Sequence, residues 1–354
     1  MTTPTRHMNL ISLQIQEPAG LPLRFQPGWH NVWEASLHKQ SLRRTRASDW
    51  LFRRFGSDTP LAPRKTHLRD NMQAFSDTCH LALQRPLARQ CLRQKGSKNA
   101  LIYFDSWGES SLFEDIDNWR DSLFADILPK KIAYTYALQT FSGKLRGERN
   151  GFLLALQMAQ DCLHSGVADN VVICGQHRHF PVLTMSEALT WSPSPAFTQR
   201  NNGALIAVER NLCMLVSKPT DTLPTLFLHP RITLPAGNKA SVAFMAERWR
   251  HAAGMPIYSS SPPMSALQTR LQRAAESSQA AHVSLFARYG DSGSLNPALG
   301  LSHWYNNGAP QSAGLVSCLH SEKHWWLLEC QPAGVMPPPH TQDDISVKEN
   351  IAAL

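Results

Sequence analysis

Long apolar runs are missing from this chain of 354 residues. The longest apolar stretches, such as Gly151–Met158 and the shorter Val171–Cys174, reach only about eight residues, whereas a membrane-spanning helix needs about 20. The opening segment, Met1–Gly20, spreads polar residues throughout and has no apolar block. That argues against a secretory leader and makes a cytoplasmic location the expectation. Paired cysteine motifs are absent as well. The seven cysteines, at 79, 91, 162, 174, 213, 318 and 330, are odd in number and form no Cys-x-x-Cys or zinc-like spacing. Cys162 and Cys174 lie in apolar stretches, where a thiol packs as a small hydrophobe. Reduced structural thiols are therefore expected, with no metal and no cofactor.

Acidic residues are scarce in two windows. Lys39–Arg69 holds nine Lys/Arg against two Asp, and Arg85–Lys98 holds five against none. Together these windows carry more positive charge than the whole chain's net +8, the rest of the chain being net acidic. Such patches attract nucleic acid, a phosphorylated cofactor or an acidic protein, and they also serve as plain solvated surface. At 42% apolar and 18% charged, the chain has the composition of an ordinary folded protein. Its length suits two α/β halves or one large domain.

The first thirty residues carry Pro and Gly at 18, 20, 22, 27 and 28 and read as an irregular lead or edge strand. Asn71–Leu83 has near-helical apolar spacing, Ala100–Phe104 reads as a buried strand, and Leu112–Leu128 as an amphipathic helix. Gly151–Leu163 is apolar around most of its circumference, which marks a buried helix closed by Ser165-Gly166. Val171–Cys174 follows as a buried strand, then a Pro/Ser/Thr-rich loop over 181–199 and a strand over Gly203–Glu209. Looser counterparts follow: a helix at Ser265–Ala275, a strand at His282–Ala287 and a helix at Asn296–Trp304. A hairpin over Gly314–Leu319 and Trp325–Cys330 precedes a polar tail from 336. Strands alternating with helices in two similar halves predict an α/β fold.

Four motifs occur in an informative order. Residues 151–166, Gly-Phe-Leu-Leu-Ala-Leu-Gln-Met-Ala-Gln-Asp-Cys-Leu-His-Ser-Gly, lead without a gap into Val-Ala-Asp-Asn-Val-Val-Ile-Cys-Gly at 167–175. This pair is similar to the nucleophile-bearing helix and following strand of the thiolase-fold ketosynthases, most of all β-ketoacyl-acyl-carrier-protein synthase III. Asn201–Val208 resembles that family's Gly/Ala-rich strand, Arg288–Ser294 its Gly-Asn-Thr-Ser-Ala loop, and Leu327–Glu329 its closing strand. Leu145-Arg146-Gly147 also resembles the II-type enzymes. The likeness spans roughly residues 48–334 and implies a thiolase-like duplicated αβαβα layered fold. Its halves would be 48–211 and 212–334, after a basic lead at 1–47 and before a flexible tail at 335–354.

The family's mechanism, carried over residue by residue, fails at each position. Its acyl-accepting cysteine at a helix N-terminus, where the dipole favours a thiolate, falls on Arg149. The histidine position falls near Ser261, since no histidine lies between His251 and His282. The asparagine position holds Asp291, which accepts but does not donate when ionised. The segment Gly143–Arg149 is polar where the family has an apolar strand. The resemblance therefore implies a degenerate, non-catalytic subunit that pairs with an active ketosynthase. The pathways implied are fatty-acid, polyketide or alkylquinolone-type biosynthesis, with an acyl carrier protein or acyl-CoA as further partner. An active acyltransferase or 3-oxoacyl-acyl-carrier-protein synthase using atypical residues, with Ser142 or Cys162 as substitute nucleophile, remains an alternative. A basic nucleic-acid-associated protein is another, although no nucleic-acid motif accompanies the basic windows. Two constellations carry less weight. Gly290–Ser294 mimics the nucleophile loop of chymotrypsin-like proteases without their histidine motif, and His177-x-His179 offers two metal ligands without an evident third.

Overall fold

Strands buried on both faces read as continuous apolar runs, and two such runs form the centre of the N-terminal half. The computed structural model describes residues 6–27, 31–45, 47–56, 68–105, 130–138, 140–146, 149–189, 203–252, 254–261, 265–306 and 312–334. In chain order the N-terminal half comprises β1 (Met8–Gln16), β2 (Leu23–Arg24), α1 (Val32–Thr45), β3 (Asp49–Arg53), α2 (Leu68–Leu83) and α3 (Pro86–Arg93). It continues with β4 (Asn99–Asp105), β5 (Phe141–Arg146), α4 (Gly151–His164), β6 (Asn170–His177), α5 (Pro181–Leu189), β7 (Ala204–Val208) and β8 (Arg210–Ser217). The second half holds β9 (Thr225–Leu228), β10 (Ile232–Thr233), α6 (Asn238–His251), β11 (Ile257–Ser260) and α7 (Ser265–Ser278). It closes with β12 (His282–Ser284), α8 (Leu285–Tyr289), α9 (Asn296–Asn306), β13 (Gly314–Leu319) and β14 (His324–Gln331).

The main sheet runs β12-β11-β13-β14-β9-β1-β8-β6-β4-β5. Read inward from either edge, its pairings repeat. β5 is parallel to β4 and β4 to β6, after which β6–β8 and β8–β1 are antiparallel. β12 is parallel to β11 and β11 to β13, after which β13–β14 and β14–β9 are antiparallel. The halves join where β1 pairs with β9. This is the duplicated arrangement expected from the sequence.

Alternation of side chains along each strand sets the layers. Leu101, Tyr103, Val172, Cys174, Cys213 and Leu215 face outward onto Phe75, Cys79 and Leu92 of α2 and α3. Ala100, Ile102, Phe104, Val171, Ile173, Met214 and Val216 face inward and share one core with α4, α9 and Val316, Trp326 and Leu328 of the other half. Met245, Trp249, Leu267 and Leu271 of α6 and α7 cover the outer side of that half. The result is helices, one half of the sheet, helices, the other half of the sheet, helices. A separate small sheet, β2-β3-β7, packs with α1 and α5 around Trp50, Phe52 and Met185.

Several sequence expectations need correction. Among the described residues the first thirty include no edge strand of the main sheet: β1 lies near its middle between β8 and β9, with Met8, Leu10 and Leu13 buried. The Pro and Gly that suggested irregularity begin only at 18, after β1 has ended. The loop over 181–199 starts instead as α5, where Pro181 supplies a φ already suited to a first helical turn. The strand over His282–Ala287 stops at Ser284 and turns into α8. Gly143–Arg149, despite its polarity, contributes to strand β5, whose position at the sheet edge tolerates polar side chains. The division at 211/212 falls inside β8. The Leu112–Leu128 helix and the tail beyond 336 lie outside the described residues.

Candidate functional site

Three chain segments meet at one end of the inner layer. Arg149 precedes α4, whose N-cap is Asn150. His177 ends β6, with His179 two residues on. The 290s loop is held against β7 by Asp291 N–H to the Ile206 carbonyl (2.9 Å) and Val208 N–H to the Asp291 carbonyl (2.8 Å). Gly293 turns that loop with φ of +50°. A Cβ there would stand 2.2 Å from His177 Cε1, so only glycine lets the loop lie on the imidazole.

Two of the three positions singled out by sequence come together. Arg149 grips Glu187 of α5 through both guanidinium arms, Nε to Oε1 at 2.6 Å and Nη2 to Oε2 at 2.7 Å. Its Nη1 also donates to Asp291 Oδ1 at 3.2 Å. The Asp291 carboxylate further accepts from Asn296 Nδ2 at 2.8 Å and from Gly293 N–H at 3.1 Å. Burial alone would raise the Asp291 carboxyl, but the charge of Arg149 and the hydrogen bond from Asn296 hold it well below the usual carboxylate range. Burial likewise opposes the charge of Arg149, and the two carboxylates more than restore it. A cation at a helix N-terminus opposes the dipole; here Glu187 and Asp291 compensate.

The third position, Ser261, is buried just after β11, where Gln268 Nε2 donates to its Oγ at 2.7 Å.

Sequence reasoning gave the His177/His179 pair little weight, yet the structure puts it in the site. The rings meet edge to face at 4.4 Å, with Nε2 atoms 3.2 Å apart. The Asp291 carbonyl, 2.9 Å from His179 Nε2, can only accept, so that nitrogen carries the proton. Thr184 Oγ1 then donates to His179 Nδ1 at 3.3 Å. Burial first, then mutual repulsion and nearby arginines, lowers the His177 pKa; burial also lowers that of His179. Both rings are thereby kept neutral. His320, at the end of β13, is lowered by burial and by the charge of Arg149. No local sequence signal links His320 or Glu187 to Arg149; only the tertiary arrangement does.

The other candidates separate from this site. Ser292 is fully buried, and its hydroxyl donates to the Val208 carbonyl at 2.6 Å while accepting from Arg210, so its proton is committed. Cys162 lies about three turns along α4, its thiol pKa raised by burial and Asp161. Ser142 is exposed on β5. Among the described residues no group of three or more His, Cys, Asp or Glu is arranged to hold a metal, and no helix is long and apolar enough to cross a membrane. The assembly can fix a helix terminus and hold charge, but Arg149 supplies no nucleophile.

Neither a protein-family model nor a curated protein matches the chain. Solved structures do. The ishigamide ketosynthase/chain length factor superposes with a TM-score of 0.59 at 11% identity, covering 92% of this chain and 99% of that one. The AntDE:AntF complex, a type II polyketide acyl-carrier protein with its ketosynthase, gives 0.56 at 10% identity over 92% and 99%. OleA E117D of Xanthomonas campestris gives 0.53 at 11% identity over 92% and 98%. At such identities the likeness speaks for the fold, and the fold of this chain is the thiolase-like fold of the ketosynthase structures.

Proposed function

We propose that this chain is a non-catalytic ketosynthase-like subunit that pairs with an active ketosynthase in fatty-acid, polyketide or related secondary-metabolite biosynthesis. One observation carries the reading. The helix terminus where the family places its thiol is taken by Arg149, clamped bidentately by Glu187 and tied to Asp291. A guanidinium cannot attack a thioester, and removing it would leave two carboxylates where the chemistry calls for oxyanion stabilisation. The substitutions form a mutually satisfied cluster, as expected of a site kept for structure.

Two further features support the partnership. Among the described residues β5 has a partner strand on one side only, and an open edge next to α4 suits pairing with a second subunit. An acidic acyl carrier is the partner proposed for the surface of α3, where Arg89 and Arg93 line a groove of about 360 Å³ with Gln84, Pro86 and Gln90.

The test is co-expression with an active ketosynthase from the same gene neighbourhood, followed by size-exclusion chromatography and product assay. A stable hetero-oligomer is expected, with product abolished by mutating the partner's cysteine but not by Arg149→Ala. A soluble monomer that ignores every such ketosynthase would overturn the reading. A stoichiometric acyl adduct on this chain, seen by intact mass after incubation with acyl-CoA or acyl-carrier protein, would favour an acyltransferase instead.

A further inference from the structure

On the outer side of the sheet, opposite the ion cluster, the ends of β4, β6 and β8 carry a row of buried polar side chains. Asp105, Gln176 and Asn211 are cross-strand neighbours, Asp105 opposite Gln176 and Gln176 opposite Asn211. All three point to the same face as Tyr103, Cys174 and Cys213, toward α2. Asn71, in the first turn of α2, lies over the row, and its backbone carbonyl accepts from Asn211 Nδ2 at 3.4 Å. Asn71 and Gln176 are each 1% exposed and Asn211 is 0% exposed.

The hydrogen bonds in this row fix which end of each amide is spent. A backbone carbonyl only accepts, so Asn211 must present its nitrogen to Asn71 and its Oδ1 to the space beyond. Gln176 Nε2 donates to the Tyr103 hydroxyl, at 2.5 Å. Gln176 Oε1 is then the end left over. Gln176 Oε1, Asn211 Oδ1 and both ends of the Asn71 amide are buried without a hydrogen-bond partner. Buried polar groups are nearly always satisfied, so a cluster of such atoms marks a polar guest. The surplus is in carbonyl oxygens, which calls for a cation or a strong donor. The nearby carboxylate does not favour a divalent ion, because Lys144 Nζ lies 3.6 Å from Asp105 Oδ2 and offsets its charge.

We propose that Asn71, Gln176 and Asn211 form a binding site for a monovalent cation, sodium or potassium, which pins the first turn of α2 to the ends of β6 and β8. Their amide oxygens, hard and uncharged, suit an ion of low charge whose hydration shell carbonyl dipoles replace. The guest would stabilise the fold by mass action without touching Arg149 or Asp291.

The test uses the full chain dialysed into choline chloride, then titrated with NaCl or KCl at constant ionic strength while unfolding is followed by scanning fluorimetry. A saturable rise in Tm of about 2–4 °C with sodium or potassium, but not with choline, is expected. The variants Asn71→Leu and Gln176→Leu should each remove that rise. Because a variant could fail to fold, crystals of the unaltered protein soaked in rubidium or thallium salts give an independent reading. An anomalous peak among Asn71 Oδ1, Gln176 Oε1 and Asn211 Oδ1 is expected. Equal Tm values in all three salts, or a refined water with no anomalous signal, would show that ordered water alone satisfies these oxygens and would overturn the proposal.

Discussion

Replacing Asp291 by asparagine separates charge from shape. The side chain keeps nearly the same size, and Oδ1 can still accept from Asn296 and Gly293 N–H. What is lost is the pairing with Arg149, which then faces an amide. Breaking a buried ion pair by removing one partner costs about 3–5 kcal/mol. Glu187 remains bound to Arg149 through two short bonds, however, and is 35% exposed, so water can share that charge. The expected loss at neutral pH is therefore about 2–3 kcal/mol, or about 3–4 °C in Tm for a chain of 354 residues. The sign of the pH dependence follows from the depressed pKa of Asp291. The stabilisation is present above the unfolded carboxyl value of about 3.9 and disappears as pH falls through the lower folded value. Wild type and variant should thus differ fully above about pH 4 and converge in acid. Urea melts of Asp291→Asn, Arg149→Met and the double variant form the assay, with a coupling energy of at least about 1 kcal/mol expected. Coupling under about 0.5 kcal/mol would refute the claim that these two residues act as one unit.

The neutral histidine pair gives a second pH signature. Because burial lowers both pKa values, stability should decline as pH falls below the unfolded histidine value near 6.5, by up to about 2.7 kcal/mol per pH unit for two protons. Denaturant melts of His177→Gln between pH 7 and 5 should show a slope smaller by up to about 1.4 kcal/mol per pH unit. Gly293→Ala places a methyl 2.2 Å from His177 Cε1 at a φ of +50° and should destabilise by at least about 2 kcal/mol, whereas Gly96→Ala, with open space around it, should cost only about 1 kcal/mol for its positive φ. Cys162→Ala should cost on the order of 1 kcal/mol and leave pathway output intact at permissive temperature; a well-folded variant without product would mark that thiol as chemical.

Elements whose apolar pattern is strong were legible in the sequence. α4 and β6 follow from Gly151–Leu163 and Val171–Cys174 because α4 packs between the two halves of the sheet and β6 is covered on both faces by apolar side chains. β1 shows the converse. Its pattern, Met-Asn-Leu-Ile-Ser-Leu-Gln-Ile-Gln, is interrupted by Asn9 and Ser12, yet both are fully buried in the sheet. Asn9 Nδ2 finds Thr220 Oγ1 at 2.6 Å, a partner more than two hundred positions away. Polarity of that kind reads as surface until the distant acceptor is known. β5 misleads for another reason: an edge strand among the described residues, it leaves Ser142 and Lys144 exposed, so its sequence need not be apolar.

The same logic divides the candidate site. Arg149 and Asp291 were found by position relative to motifs, and their meeting across 142 residues of sequence follows from the pairing of the 290s loop with β7. Glu187 was invisible because its relation to Arg149 depends on α5, which the sequence reading had as loop. That dependence is informative. An arginine alone at the start of α4 would oppose the helix dipole and sit beside neutral, donor-poor imidazoles. With Glu187 and Asp291 both in place, each charge has a counter-charge and the terminus is stable. The carboxylates on α5 and the 290s loop are matched to the guanidinium, so these three positions act as a set in packing the inner layer. Placing a thiol there by Arg149→Cys would then leave Glu187 and Asp291 without their shared cation, in a site built to hold charge in balance, and is expected to destabilise the chain without producing an acyl-enzyme.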